Sequence, residues 1–211
     1  MIYFVKKVIF MSVNLQKGQK VNLKKEDGTS LSKVMIGLGW DPVKQEKKGG
    51  FLSGLLGGGA PDVDCDASVL MLVNGKITDA NDIVYFGNLS HSSGSVRHMG
   101  DNLTGEGEGD DEQIFVDLTT VPEKYDKLVF VVNIYKAAER KQHFGMIANA
   151  FIRIVDDKGK EFCKYNLSEK LDQMTAMIIG EIYRYKGEWK FNPIGQGTTD
   201  NGIDGLVRRY Q

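Results

Sequence analysis

The sequence predicts an all-β fold, a two-sheet antiparallel β-sandwich with a few short peripheral helices. Three observations carry that expectation: short β-rich runs recur along the chain, turn-forming pairs punctuate them, and two runs are apolar almost without interruption. The runs are Lys33 to Trp40, Ser68 to Val73, Asp82 to Phe86, Glu112 to Leu118, Leu128 to Tyr135, Asn149 to Val155, Glu161 to Leu167, Met177 to Tyr185 and Glu188 to Ile194. Asn74-Gly75, Asp157-Lys158-Gly159 and Lys186-Gly187 each sit between two runs, where a residue of positive φ closes a hairpin, and this favours antiparallel pairing. Ile114-Phe115-Val116 and Leu128-Val129-Phe130-Val131-Val132 suit central strands covered by a second sheet. Helical signals are short: Ala137 to Phe144 for about two turns, a segment capped by Ser168, and a terminal helix over Asp204 to Tyr210. Trp40, Tyr85, Phe115, Phe130, Phe151, Tyr183 and Trp189 lie within β-patterned runs and read mostly as core.

A chain of 211 residues fits one domain, here residues 11–211, preceded by an extension over residues 1–10. That extension is an upstream start, a tag-like addition or an added edge strand. Its apolar residues surround Lys6 and Lys7, the wrong order for a secretory signal. No apolar run reaches the roughly 20 residues needed to span a bilayer. Cys65 and Cys163 form neither a disulfide framework nor a CxxC pair and read as small buried groups, so the expected compartment is the cytoplasm. Residues 45–61 form a Gly-rich loop, whose Phe51-Leu52-Ser53-Gly54-Leu55-Leu56 has a second reading as a contact for a partner or a membrane surface. Basic residues are dispersed along the chain, and no nucleic-acid partner is expected.

The net charge of −1 hides an uneven distribution. Asp62, Asp64, Asp66, Asp101, Glu106, Glu108, Asp110, Asp111 and Glu112 fall in two short segments, leaving 19 acidic residues against 27 Lys and Arg elsewhere. Asp62, Asp64 and Asp66 alternate with Val63 and Cys65 just before a strand, so an early start to the extended conformation projects all three carboxylates from one face. Such neighbours repel unless a cation or proton intervenes. The second segment, from Asp101 to Glu112, carries six acidic residues and no Lys or Arg, with glycines that let side-chain and main-chain oxygens converge.

Composition and spacing leave two readings of this pair of segments: a solvated turn without a ligand, or an oxygen cage for Ca²⁺, which takes six to eight oxygens in flexible geometry where Mg²⁺ demands a strict octahedron. Zinc does not fit, because His91, His98 and His143 show no ligand spacing relative to the cysteines. An EF-hand starting at Asp62 fails because its sixth position is Ala67 and its twelfth is Val73. A further alternative is a metal-dependent hydrolase. The chain contains no GxSxG elbow and no GxxxxGK[ST] phosphate loop, and the acidic residues around Gly105, Gly107 and Gly109 repel phosphate. Cys65 beside two carboxylates is expected to have a raised pKa and to be a poor nucleophile.

Three segments, Lys33-Val34-Met35-Ile36-Gly37-Leu38-Gly39-Trp40-Asp41, Asp64-Cys65-Asp66-Ala67-Ser68 and the GDNLTGEGEGDDE stretch from Gly100 to Glu112, together resemble the signature of the tellurium-resistance TerD family. The resemblance continues through Arg140-Lys141-Gln142-His143-Phe144-Gly145, Asn149-Ala150-Phe151-Ile152-Arg153, Gly180-Glu181-Ile182-Tyr183-Arg184 and Glu188-Trp189-Lys190-Phe191, and runs from about Met11 to the C-terminus. It implies a calcium-binding β-sandwich, a binding or scaffolding component of a tellurium-resistance and general stress-response system rather than an enzyme, and it raises as an alternative a protein that binds tellurite directly through its thiols. By the same resemblance a pair of Ca²⁺ ions is held by Asp64, Asp66, Asp101, Asn102, Thr104, Glu106, Asp110, Asp111 and Glu112, with carbonyls from Gly105 and Gly107. The implied partners are other stress and tellurium-resistance proteins, and the implied location is cytoplasmic, with peripheral membrane association of some members. The insertion at 45–61 departs from the shorter form of many members.

Overall fold

The computed structural model of the chain describes residues 12–43, 63–100, 109–167, 169 and 171–211. Among these, twelve strands form two six-stranded sheets. The first runs in the order β1 (Val13–Asn14), β10 (Glu161–Asn166), β9 (Ile147–Asp156), β3 (Lys33–Pro42), β7 (Glu112–Asp117), β6 (Val96–His98). The second runs β2 (Val21–Asn22), β12 (Glu188–Thr198), β11 (Ala176–Tyr185), β8 (Lys127–Ile134), β4 (Cys65–Leu72), β5 (Ile83–Val84). Every pairing is antiparallel except β1 with β10.

The expected turn chemistry is present. Asn74 and Gly75 have φ of 52° and 79°, and Lys186 and Gly187 have 52° and 79°, the double positive φ of a tight hairpin turn. The second pair joins β11 to β12 with Tyr185 opposite Glu188. Alternation then decides what each strand buries. Val34, Ile36, Leu38 and Trp40 of β3, Ile114 and Val116 of β7, Ile152 and Ile154 of β9 face Cys65, Ala67, Val69 and Met71 of β4 and Leu128, Phe130 and Val132 of β8 across one core.

The outer face of the second sheet is also buried. Leu70, Leu72, Val129, Val131, Ala176 and Ile178 pack beneath Leu206 and Val207 of the C-terminal helix α2 (Gly202–Arg208), so β8 is covered on both faces as its apolar run predicts. The cover on the outer side is a helix rather than a sheet. β7 departs from expectation: its burial alternates, and Phe115 is 40% exposed under the Arg97 guanidinium, because among the described residues no element lies over the first sheet there. Of the seven aromatic residues expected mostly in the core only Trp40 and Phe130 are buried.

The other helical expectations contract. The segment from Ala137 holds one turn, α1 (Ala137–Arg140), bracketed by Lys136 and Lys141 at φ of 49° and 54°, left-handed conformations that end a helix, and a 3₁₀ turn follows at Phe144–Met146. The run expected from Asp82 shrinks to β5, since Asp82 caps a 3₁₀ turn (Ala80–Asp82) by accepting from the Asp79 N–H in a capping box. The helix expected at Ser168, the extension 1–10 and the Gly-rich loop 45–61 lie outside the described residues.

Candidate metal centre

β4 opens with the Asp64-Cys65-Asp66 segment and β7 opens with Glu112, so the two acidic segments meet at one rim of the sandwich, one from each sheet. β5 pairs β4 only at Val69 and Leu70, which leaves the edge of β4 uncovered at Ala67. Side chains from the opposite sheet take the place of the missing strand. The Ala67 N–H donates to Glu112 Oε2 at 2.6 Å, and His98 Nε2 lies 3.2 Å from the Ala67 carbonyl and 3.3 Å from Glu112 Oε2. His98 Nδ1 accepts from the Gly100 N–H at 3.1 Å, so Nε2 carries the proton and donates to both oxygens. Glu112 is 2% exposed, and this three-way bond fastens one sheet to the other beside the acidic cluster.

The remaining described carboxylates divide by face. Asp64 and Asp66 lie on the outer side of the second sheet. Asp66 accepts from Asn133 Nδ2 at 3.1 Å, its register partner on β8, and Asp64 receives Arg140 Nη1 at 3.3 Å. Asp110 turns to the outer side of the first sheet and is clasped by Arg153, with Nε to Oδ1 at 2.7 Å and Nη2 to Oδ2 at 3.0 Å. Its carboxylate fills the space above Gly37, where a Cβ would stand 2.3 Å away. The forked pair raises the Arg153 pKa. Asp111 accepts from the Trp40 N–H at 2.7 Å. Burial, with Asp41 and Asp110 adding repulsion, nevertheless pushes its carboxyl above the usual range.

Cys65 reports on the convergence. It is wholly buried, and its thiol is pushed well up, first by burial and then by Asp66, Glu112, Asp64 and Asp111 together. Carboxylates from both sheets therefore act on one point. Beside Gly109, a groove of about 570 Å³ is lined by Trp40, Asp41, Asn149, Phe151, Lys164 and Asn166. Its ionic groups are engaged: Asn149 Nδ2 donates to Asp41 at 2.8 Å, and the Lys164 ammonium stands 3.7 Å from the Phe151 ring centre.

Residues 11–210 match the TerD domain family. The chain belongs to the TerD family. It is 56% identical to stress response protein SCP2 of Bacillus subtilis (strain 168), over 95% of this chain and 100% of that protein. It is 46% identical to general stress protein 16U of the same organism, over 89% and 91% of the two chains, and 44% identical to tellurium resistance protein TerD of Serratia marcescens, over 95% and 97%. The crystal structure of a homologue of telluride resistance protein (TerD) from Streptomyces coelicolor A3(2) superposes with a TM-score of 0.65 over 86% of this chain and 99% of that one, at 17% identity, a likeness of fold.

In this TerD chain, Asp64 and Asp66 on one wall and Asp111 and Glu112 on the other stand near the Cys65 end of β4, and Asp110 is drawn to Arg153 on the other face. Asp101, Asn102, Thr104, Gly105, Glu106 and Gly107 lie outside the described residues. Among the described residues no three Asp, Glu, His or Cys side chains form a group able to hold a metal ion. His98, Asn133 and Arg140 were not among the predicted site residues. His98 has no metal-ligand spacing, but its offset of fourteen from Glu112 across the acidic loop suits the β6–β7 pairing that brings the two together. No helix among the described residues is long and apolar enough to cross a membrane.

Proposed function

We propose that the chain is a calcium-binding module of a tellurium-resistance and stress-response system, acting in the cytoplasm by ion-dependent ordering of its acidic rim and by binding partner proteins of that system. The carrying observation is the convergence of carboxylates from both sheets on the Cys65 end of β4. Bound Ca²⁺ would supply positive charge between the wall that carries Asp64 and Asp66 and the wall that carries Asp111. The donors fit a hard cation, being carboxylate and amide oxygens. Asp64, Asp66 and Asp111 would hold the ions together with Asp101, Asn102, Thr104, Gly105, Glu106 and Gly107. Glu112 and Asp110, engaged by Ala67 and Arg153, hold the two walls in place and have lone pairs left for the ions.

The reading is of a binding protein rather than an enzyme, and the thiol route to tellurite is the weaker alternative. Both cysteines are buried, with burial raising the Cys163 thiol to about 12 and the Cys65 thiol well above its ordinary value. Calorimetric titration of the chelator-treated protein with Ca²⁺ and with Mg²⁺ tests the proposal. Saturable heat with Ca²⁺ that Mg²⁺ does not reproduce supports it, and an absence of calcium heat overturns it.

A further inference from the structure

The outer face of β8 reads Val129, Val131, Asn133, an amide placed in an apolar stripe between β4 and β11. Asn133 is 4% exposed, opposite Asp66 on one side and Ala176 on the other. Its Nδ2 donates to Asp66 Oδ2 at 3.1 Å, while its buried Oδ1 receives no hydrogen bond. Ser68 Oγ, next along the same face of β4, is likewise buried without a partner. Buried acceptors in folded proteins are almost always satisfied, and those that are not mark the place of a missing water or ion. Here the neighbours decide between the two. Asp64 and Asp66 carry two negative charges against the one positive charge of Arg140, and an amide oxygen is one of the ligand types a hard cation takes.

We propose that Asn133 is a calcium ligand, giving its amide oxygen to the ion held by Asp64 and Asp66, so that the site rests on a third element, the strand β8, buried from Leu128 to Ile134. The inference rests on the calcium reading above. An amide is the neutral side chain suited to this position because rotation exchanges its two ends within the same volume. Without the ion, Nδ2 faces Asp66 and relieves its charge. With the ion, Oδ1 faces the metal. Placing a ligand on β8 also ties the rim to the doubly covered core rather than to loops alone.

Calorimetric calcium titrations of the unsubstituted chain, Asn133→Leu and Asn133→Asp test this, with far-UV circular dichroism confirming the fold of each. Asn133→Leu keeps the volume and removes the oxygen, and at least a tenfold loss of calcium affinity is expected. Asn133→Asp keeps an oxygen but loses the donor to Asp66, so its affinity should stay within threefold of the parent or exceed it, while its thermal midpoint in chelator falls. Leucine binding within twofold of the parent, or aspartate binding as weakly as leucine, overturns the inference, the latter by showing that the donor to Asp66 is what matters. Should Asn133→Leu fail to fold, the aspartate result decides. A parent chain that takes up no calcium overturns the underlying reading instead.

Discussion

At Glu112 one carboxylate oxygen, nearly sealed from solvent, accepts from the Ala67 N–H and from His98 Nε2 at once. Glu112→Ala would leave the Ala67 N–H buried and unanswered and His98 Nε2 with the Ala67 carbonyl alone, a loss of about 1–3 kcal/mol of stability for an orphaned buried group. Glu112→Gln keeps an acceptor and should lose less. Urea unfolding in chelator separates the two, and equal losses would show that the contact carries no weight. A second buried group, His91, lies in a chain from Ser93 Oγ (2.7 Å to Nδ1) through Tyr125 (3.1 Å from Nε2) to Asp82 (2.5 Å from the Tyr125 hydroxyl). Burial, aided by Lys124, lowers the His91 pKa despite Asp82. The unfolded chain thus takes up this proton at about pH 6.5 while the folded one resists it, so stability is complete above that pH and falls as acid is added. Asp82 adds a later loss. Burial raises its carboxyl, but hydrogen bonds from Tyr125, Thr78 and Asp79 outweigh that and hold it low, so its contribution is lost below about pH 4. His91→Gln should flatten the pH dependence of the urea midpoint just below about pH 6.5 and leave the carboxylate limb. An unchanged slope in that window would refute it.

Helix α2 is the element that converts an open sheet face into core. Leu206 is fully buried against Val129, Val131 and Ile178, so Leu206→Ala should reduce unfolding free energy by about 2–5 kcal/mol, read from chemical denaturation. A loss near that of an exposed leucine would mean the helix rests on the sheet without supporting it. The long strands were legible in the sequence because period-two alternation and the Asn74-Gly75 and Lys186-Gly187 turns specify them locally. β1, β2 and β6 were not, since two or three residues carry no period and pair only because a longer strand presents its edge. Phe115 shows the converse limit: an apolar residue inside an apolar run reads as buried, but whether anything covers that face depends on where a covering helix such as α2 lands. The candidate site was legible as charge pattern and resemblance. The Asp110–Arg153 pair, the His98 contact and the lone amide of Asn133 depend on cross-strand register and on which sheet each strand joins, and neither is written in local spacing.

For the whole molecule, the main core draws residues from both sheets, from Leu15 to Phe191, so neither sheet can open without exposing the other. One cooperative transition is therefore expected with or without metal. Calcium enters as linkage. An ion bound only by the folded chain adds about 2.7 kcal/mol when its free concentration is a hundredfold above Kd. For a chain of this length that is a rise in Tm of about 5–11 °C. The gain should be steepest where the rim is most crowded with charge, at neutral pH and low salt, and should shrink in acid as the carboxylates at the rim take up protons and compete with the ion. Calorimetric scans in chelator and in excess calcium, at neutral and mildly acidic pH, measure both effects. Coincident midpoints at neutral pH would mean that the folded rim gains nothing from the ion and that the clustered carboxylates are held by Arg140, Arg153 and the peptide N–H groups alone.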